Sequence, residues 1–67
     1  MSQITIKDRH FRIVGYIDTR PDGVKVGKDT KYRIVGYYEP KSNVTKDAHY
    51  RIVAHGDILS SLITDAS

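Results

Sequence analysis

Cysteine is absent from the 67 residues, which excludes a disulfide framework and every zinc site built on thiolates. A chain this short buries only about 60% of the surface its unfolded form exposes, so a lone monomer is marginal. Absence of cysteine is also what a reducing compartment favours, and the expected location is cytoplasmic. Long apolar runs are missing too. Nothing approaches the roughly 20 residues that span a bilayer, so no membrane partner is expected. The opening residues MSQITIKDRH are polar and lack the apolar centre of a secretory signal. Leucine is scarce: two Leu stand against eight Ile and six Val. Such branched side chains suit a pleated sheet, and the expected class is all-β.

Catalytic signatures are also lacking. The sequence holds no nucleophile motif, glycine-rich phosphate loop or paired-carboxylate pattern. His55, Asp57, Ser60 and Ser61 are neighbours in sequence, but a triad is defined by geometry, not by nearness. His10 and His49 share a repeat position that holds Lys31 in between, so no ring of three His forms. No enzyme activity, cofactor or metal is expected.

What is present is one phrase written three times: KDRHFRIVGYID at 7–18, KDTKYRIVGYYE at 28–39 and KDAHYRIVAHGD at 46–57. The offsets are 21 and 18 residues, and five positions are identical in all copies. Such self-similarity marks a structural unit that stacks on its neighbours. About 20 residues accommodate two strands with their turns. The long strands are expected at 11–17, 32–38 and 50–55. Shorter ones precede each, in QITIK, GVKVGK and NVTK, and Gly27 reads as a bulge. The Asp after each Lys favours a turn between them, and TRPDG and EPKSN supply turns between units. The expected architecture is a single domain over 1–67. It is an antiparallel meander of three hairpins in a pseudo-three-fold arrangement, a small barrel or flower. GDILSSLITD reads either as a short helix capped by Asp57 or as a further strand. The apolar spacing of Ile58, Leu59, Leu62 and Ile63 leans towards the helix.

Strict alternation assigns Phe11, Ile13, Gly15 and Ile17 and their counterparts to the core, with Ile13, Ile34 and Ile52 deeply buried. The opposite face then carries Arg12, Val14, Tyr16 and Asp18, with Arg33, Val35, Tyr37, Glu39, Arg51, Val53, His55 and Asp57 at equivalent places. Each Arg is expected to meet the acid of a neighbouring unit. Arg12, Tyr16, Arg33, Tyr37, Arg51 and His55 form the candidate binding face. Within one strand Arg12 and Tyr16 are roughly 13 Å apart, so any stacking of bases on this face must work across strands.

The stretches DRHFRIVG, DTKYRIVG and DAHYRIVA resemble the D-x-x-G-[RK]-x-V-G hairpin repeats of four-fold β-flower proteins, over about residues 4–57. This resemblance implies a radial hairpin fold and no particular activity. The chain departs from that pattern in having three units and an aromatic residue at the turn Gly position.

Net charge is +3. Inside the repeats Lys7, Arg12, Lys28, Arg33, Lys46 and Arg51 are balanced by Asp8, Asp18, Asp29, Glu39, Asp47 and Asp57. The excess sits at Arg9, Arg20, Lys25, Lys31 and Lys41 against Asp22 and Asp65, outside the repeated face. A phosphate track would concentrate charge on that face. The favoured expectation is therefore a protein-interaction or self-assembly module. It would be a homo-oligomer, a dimer first, with the segment 58–63 at or beside the interface. Nucleic acid is the alternative partner.

Overall fold

The computed structural model describes residues 2–66; the outermost residues of the expected domain lie beyond these. Six strands follow in chain order: β1 (Ser2–Lys7), β2 (Ile13–Thr19), β3 (Lys25–Asp29), β4 (Ile34–Glu39), β5 (Val44–Asp47) and β6 (Ile52–His55). One helix, α1 (Leu59–Ala66), completes the chain. Every strand pairs antiparallel with its sequence neighbour, giving the order β1-β2-β3-β4-β5-β6. No pairing joins β1 to β6 among the described residues, so the meander keeps two edges. The closure of a barrel or flower is not part of this hydrogen-bonding pattern.

The long strands start two residues later than expected. Asp8 to Arg12 form the loop between β1 and β2. Asp8 N–H donates to the Arg12 carbonyl at 2.9 Å, and Phe11 N–H to the Asp8 carbonyl at 3.0 Å. Phe11 holds φ at 61°, and its counterparts Tyr32 and Tyr50 hold 63° and 64°. This is a type I turn followed by a left-handed residue, a common way to close a three-residue hairpin loop. The loop between β2 and β3 makes the same two hydrogen bonds through Arg20, Gly23 and Val24, and there the left-handed residue is Gly23 at φ 92°. Glycine enters that region at no steric cost, whereas an L side chain there costs about 1–2 kcal/mol. The three motif copies carry the costlier residue.

A second irregularity explains which residues are inside. Ile6 pairs with Gly15 but Lys7 with Ile13; Gly27 pairs with Gly36 but Lys28 with Ile34; Thr45 pairs with Ala54 but Lys46 with Ile52. Each long strand therefore has one extra residue: Val14, Val35 or Val53. The bulge expected at Gly27 falls on the opposite strand, at Val35. A bulge breaks the two-residue alternation. Ile13, Ile34 and Ile52 are thereby turned away from the helix, to the side of Tyr16 and Tyr37. They remain 48%, 41% and 58% exposed, and Phe11, Tyr32 and Tyr50 are exposed as well. The expected core assignment is corrected for these six residues. It stands for Gly15, Gly36 and Ile17, which are buried.

The principal core joins Val14 and Ile17 to Leu59 and Ile63 of α1, with Ile6, Val35, Tyr38 and Leu62 packed at its border. The helical reading of the C-terminal segment holds, and Asp57 Oδ1 accepts the Leu59 N–H at 3.2 Å as its cap. Small residues under the helix let it approach closely. A Cβ on Gly36 would lie 2.5 Å from Leu62 Cδ2 and 2.6 Å from the Lys46 carbonyl. Thr45, fully buried, fixes the entry to α1. Its hydroxyl donates to the Gly56 carbonyl at 2.7 Å and accepts the Ile58 N–H at 3.1 Å. Among the described residues, no helix is long and apolar enough to cross a membrane.

Candidate interaction surface

In each repeat the Asp organises its turn. Asp8 Oδ1 accepts the N–H of His10 at 2.8 Å and of Arg12 at 3.0 Å, and its Oδ2 meets Arg12 Nε at 3.3 Å. Asp29 does the same for Lys31 and Arg33, and Asp47 for His49 and Arg51. The Arg12 backbone N–H does most to hold the Asp8 carboxyl below its usual range. Desolvation opposes it, and the His10 N–H adds to the lowering. The corresponding backbone N–H of Arg33 and of Arg51 lowers Asp29 and Asp47 in the same way.

The ion pairs therefore differ from the expected ones. Arg12, Arg33 and Arg51 bind the Asp of their own turn, at 3.1 to 3.3 Å, because that carboxylate already faces the residue four places on. The acids at the strand ends bind Lys instead. Asp18 takes Lys28 of the next unit at 2.7 Å, and Glu39 takes Lys46 of the unit after it at 3.0 Å. Asp57 meets Lys25 at 3.4 Å.

Above these bridges the aromatic rings pair between units. Tyr16 of the first unit stacks on Tyr32 of the second at 4.8 Å between centroids. Tyr37 of the second stacks on Tyr50 of the third at 4.5 Å. Lys28 lies 5.9 Å from the Tyr32 ring and Lys46 lies 5.4 Å from the Tyr50 ring. The left-handed turn residue is thus the one that carries a ring onto the preceding unit. Each stack is worth about 0.5–1.5 kcal/mol beyond the area it buries, which is comparable to the backbone cost of holding it there.

The candidate binding face divides in two. Tyr16, Tyr37 and His55 lie on the sheet face away from α1, opposite Lys28, Lys46 and Val44 in the register. Arg12, Arg33 and Arg51 stand in the three turns at one end of the meander, their side chains 73–76% exposed. The structure does not bring these Arg onto the Tyr surface. Tyr37 is only 7% exposed, and its ring is covered by Tyr50, so it offers little to a base.

The surface residues that sequence reasoning misses are Phe11, Tyr32 and Tyr50. Their signal is the aromatic at the turn Gly position, which strict strand alternation hides. Among the described residues, no cluster of three or more His, Asp or Glu is arranged to hold a metal ion. The chain matches no protein family, no characterised protein and no solved structure.

Proposed function

We propose that the chain is a non-catalytic interaction module that assembles with copies of itself, a dimer being the first product. The observation that carries this reading is the state of the two sheet edges. An open edge offers unpaired backbone groups to another chain, and soluble proteins commonly guard it with charge or proline. The β6 residues Ile52–His55 include neither Pro, Lys, Arg, Asp nor Glu, and leave Ile52 58% and Val53 47% exposed. Val14, the counterpart of Val53, is buried against α1. Segment 58–63, expected at or beside the interface, buries Leu59 and Ile63 against the chain's own sheet.

Sedimentation across a range of concentrations tests the reading, with mass expected to rise above the monomer by high micromolar protein. A constant monomer mass is the contrary result.

Nucleic acid is the second reading, favoured by the exposed Arg12, Arg33 and Arg51 at one end of the sheet. Each of these Arg already faces an Asp, which weakens a phosphate track. Binding to single- and double-stranded DNA at two salt concentrations separates the readings. Steep loss of affinity with salt, made shallower by substituting Arg12, Arg33 and Arg51, would favour nucleic acid.

A further inference from the structure

We propose that association is head to tail: the β6 edge of one copy pairs with the β1 edge of a second, and His55 stacks on Phe11 of that second copy. This rests on the self-association reading above and specifies its geometry.

The argument comes from the two junctions inside the chain. At the first, Tyr16 lies opposite Lys28 in the register, stacks on Tyr32, and is followed two residues on by Asp18, which binds Lys28. At the second, Tyr37 lies opposite Lys46, stacks on Tyr50, and is followed by Glu39, which binds Lys46. The upstream unit supplies a strand ring and an acid. The downstream unit supplies a Lys and a turn ring.

Each end of the sheet holds one half of such a junction. At β6 the upstream half is the ring of His55, and at β1 the downstream half is Lys7 with Phe11. Among the described residues Lys7 has no ion partner, and no ring stacks on Phe11 or His55. Phe11 is 83% exposed, yet it keeps the left-handed φ of 61° that its counterparts use to reach a neighbouring ring. Continuing the register places His55 opposite Lys7 of the second copy and Ala54 opposite its Asp8. Asp57 is not equivalent to Asp18 and Glu39: after Gly56 at φ 90° it caps Leu59 of α1 and meets Lys25 at 3.4 Å on the helix side of the sheet, so the contact rests on the strand edges and the rings. Helix α1 lies across β1 to β4 and does not cover the β6 edge. Because the two edges differ, one such contact leaves a free β1 and a free β6, so the assembly either closes as a ring or continues to grow.

The absence of native cysteine makes a cross-linking test direct. Lys7→Cys and His55→Cys are made as separate full-length chains, both at exposed positions, with folding checked by circular dichroism. Opposed strand residues lie within disulfide reach. Under mild oxidation, a disulfide joining the two variants should form from their mixture several-fold faster than either variant links to itself. Because the His55→Cys chain lacks the ring, the stack is tested apart from the cross-link: Phe11→Gly in the otherwise parental chain should raise the concentration needed for assembly several-fold. Self-linked dimers of one variant in excess would show an edge pairing with its own kind, which overturns the head-to-tail geometry and leaves self-association standing. The head-to-tail geometry is likewise overturned if the parent assembles but no cross-link forms. A parent that stays monomeric and variants that do not cross-link overturn both.

Discussion

Tyr37 and Tyr50 lie face to face, their ring centroids 4.5 Å apart and their planes 5° from parallel, while Tyr50 holds a φ of 64°. A backbone conformation that favours glycine is thus held by an aromatic residue whose ring closes a contact between repeat units. Stack and strain are opposing terms of similar size, and substitutions separate them.

Tyr50→Ala removes the stack, worth about 0.5–1.5 kcal/mol, and leaves a side chain in the left-handed region. Tyr50→Gly removes the same stack but relieves roughly 1 kcal/mol of backbone strain. The Gly variant is therefore expected to melt above the Ala variant by about 4–8 °C. Thermal unfolding of the two proteins side by side checks this. A Gly variant that melts below the Ala variant would show that the turn carries no strain worth relieving.

The second prediction concerns the inside of the molecule. Leu59 is fully buried, whereas Ile34 is 41% exposed. Leu59→Ala should cost about 2–5 kcal/mol, and Ile34→Ala about half of that or less. For so small a domain the first change consumes a large share of the total stability. Urea titrations of both variants measure the difference, and equal losses would mean that Ile34 is as deeply packed as Leu59.

Much of the fold is legible in the residues, for physical reasons that can be named. The three-fold phrase and the abundance of Ile and Val announce hairpins. Asp8, Asp29 and Asp47 announce turns, and Asp57 ahead of Leu59, Leu62 and Ile63 announces a capped helix. What stays hidden is phase. The bulged residue is a Val and not the glycine beside or opposite it, and an aromatic residue in a left-handed turn looks like the first residue of a strand. Both shift alternation, so a strict two-residue period assigns Ile13, Ile34 and Ile52 to the wrong face. The candidate site suffers from the same cause. A continuous strand would place Arg12, Arg33 and Arg51 beside Tyr16 and Tyr37, although a turn and a bulge separate them. Ion pairs between units are legible as a principle but fall to Lys instead of Arg, because sequence does not reveal that each Arg is already held by the Asp four residues before it.

The third prediction follows from those Asp residues. Each is held below the usual aspartate range, chiefly by the backbone N–H of the Arg four residues on. A carboxyl whose pKa is lower folded than unfolded stabilises the fold fully above the unfolded value, about 3.9. That contribution is lost as pH falls through the folded value. The melting temperature should therefore drop below about pH 4. Replacing Asp47 with Asn should lower stability at neutral pH and make the acid dependence shallower. Melting curves from pH 7 down to pH 2 provide the check, and an unchanged acid profile in Asp47→Asn would remove this turn from the account.

The most direct measurement of the central claim compares sedimentation and melting of the parent with those of Phe11→Gly. Phe11 is 83% exposed and, among the described residues, no ring stacks on it, so its left-handed backbone costs about 1 kcal/mol without a stack to offset it. If the ring serves a second copy, Phe11→Gly should melt about 4–8 °C above the parent in dilute solution. It should also need several-fold higher concentration to assemble. A variant that assembles as readily as the parent, or a parent that remains monomeric at high micromolar concentration, would contradict the account.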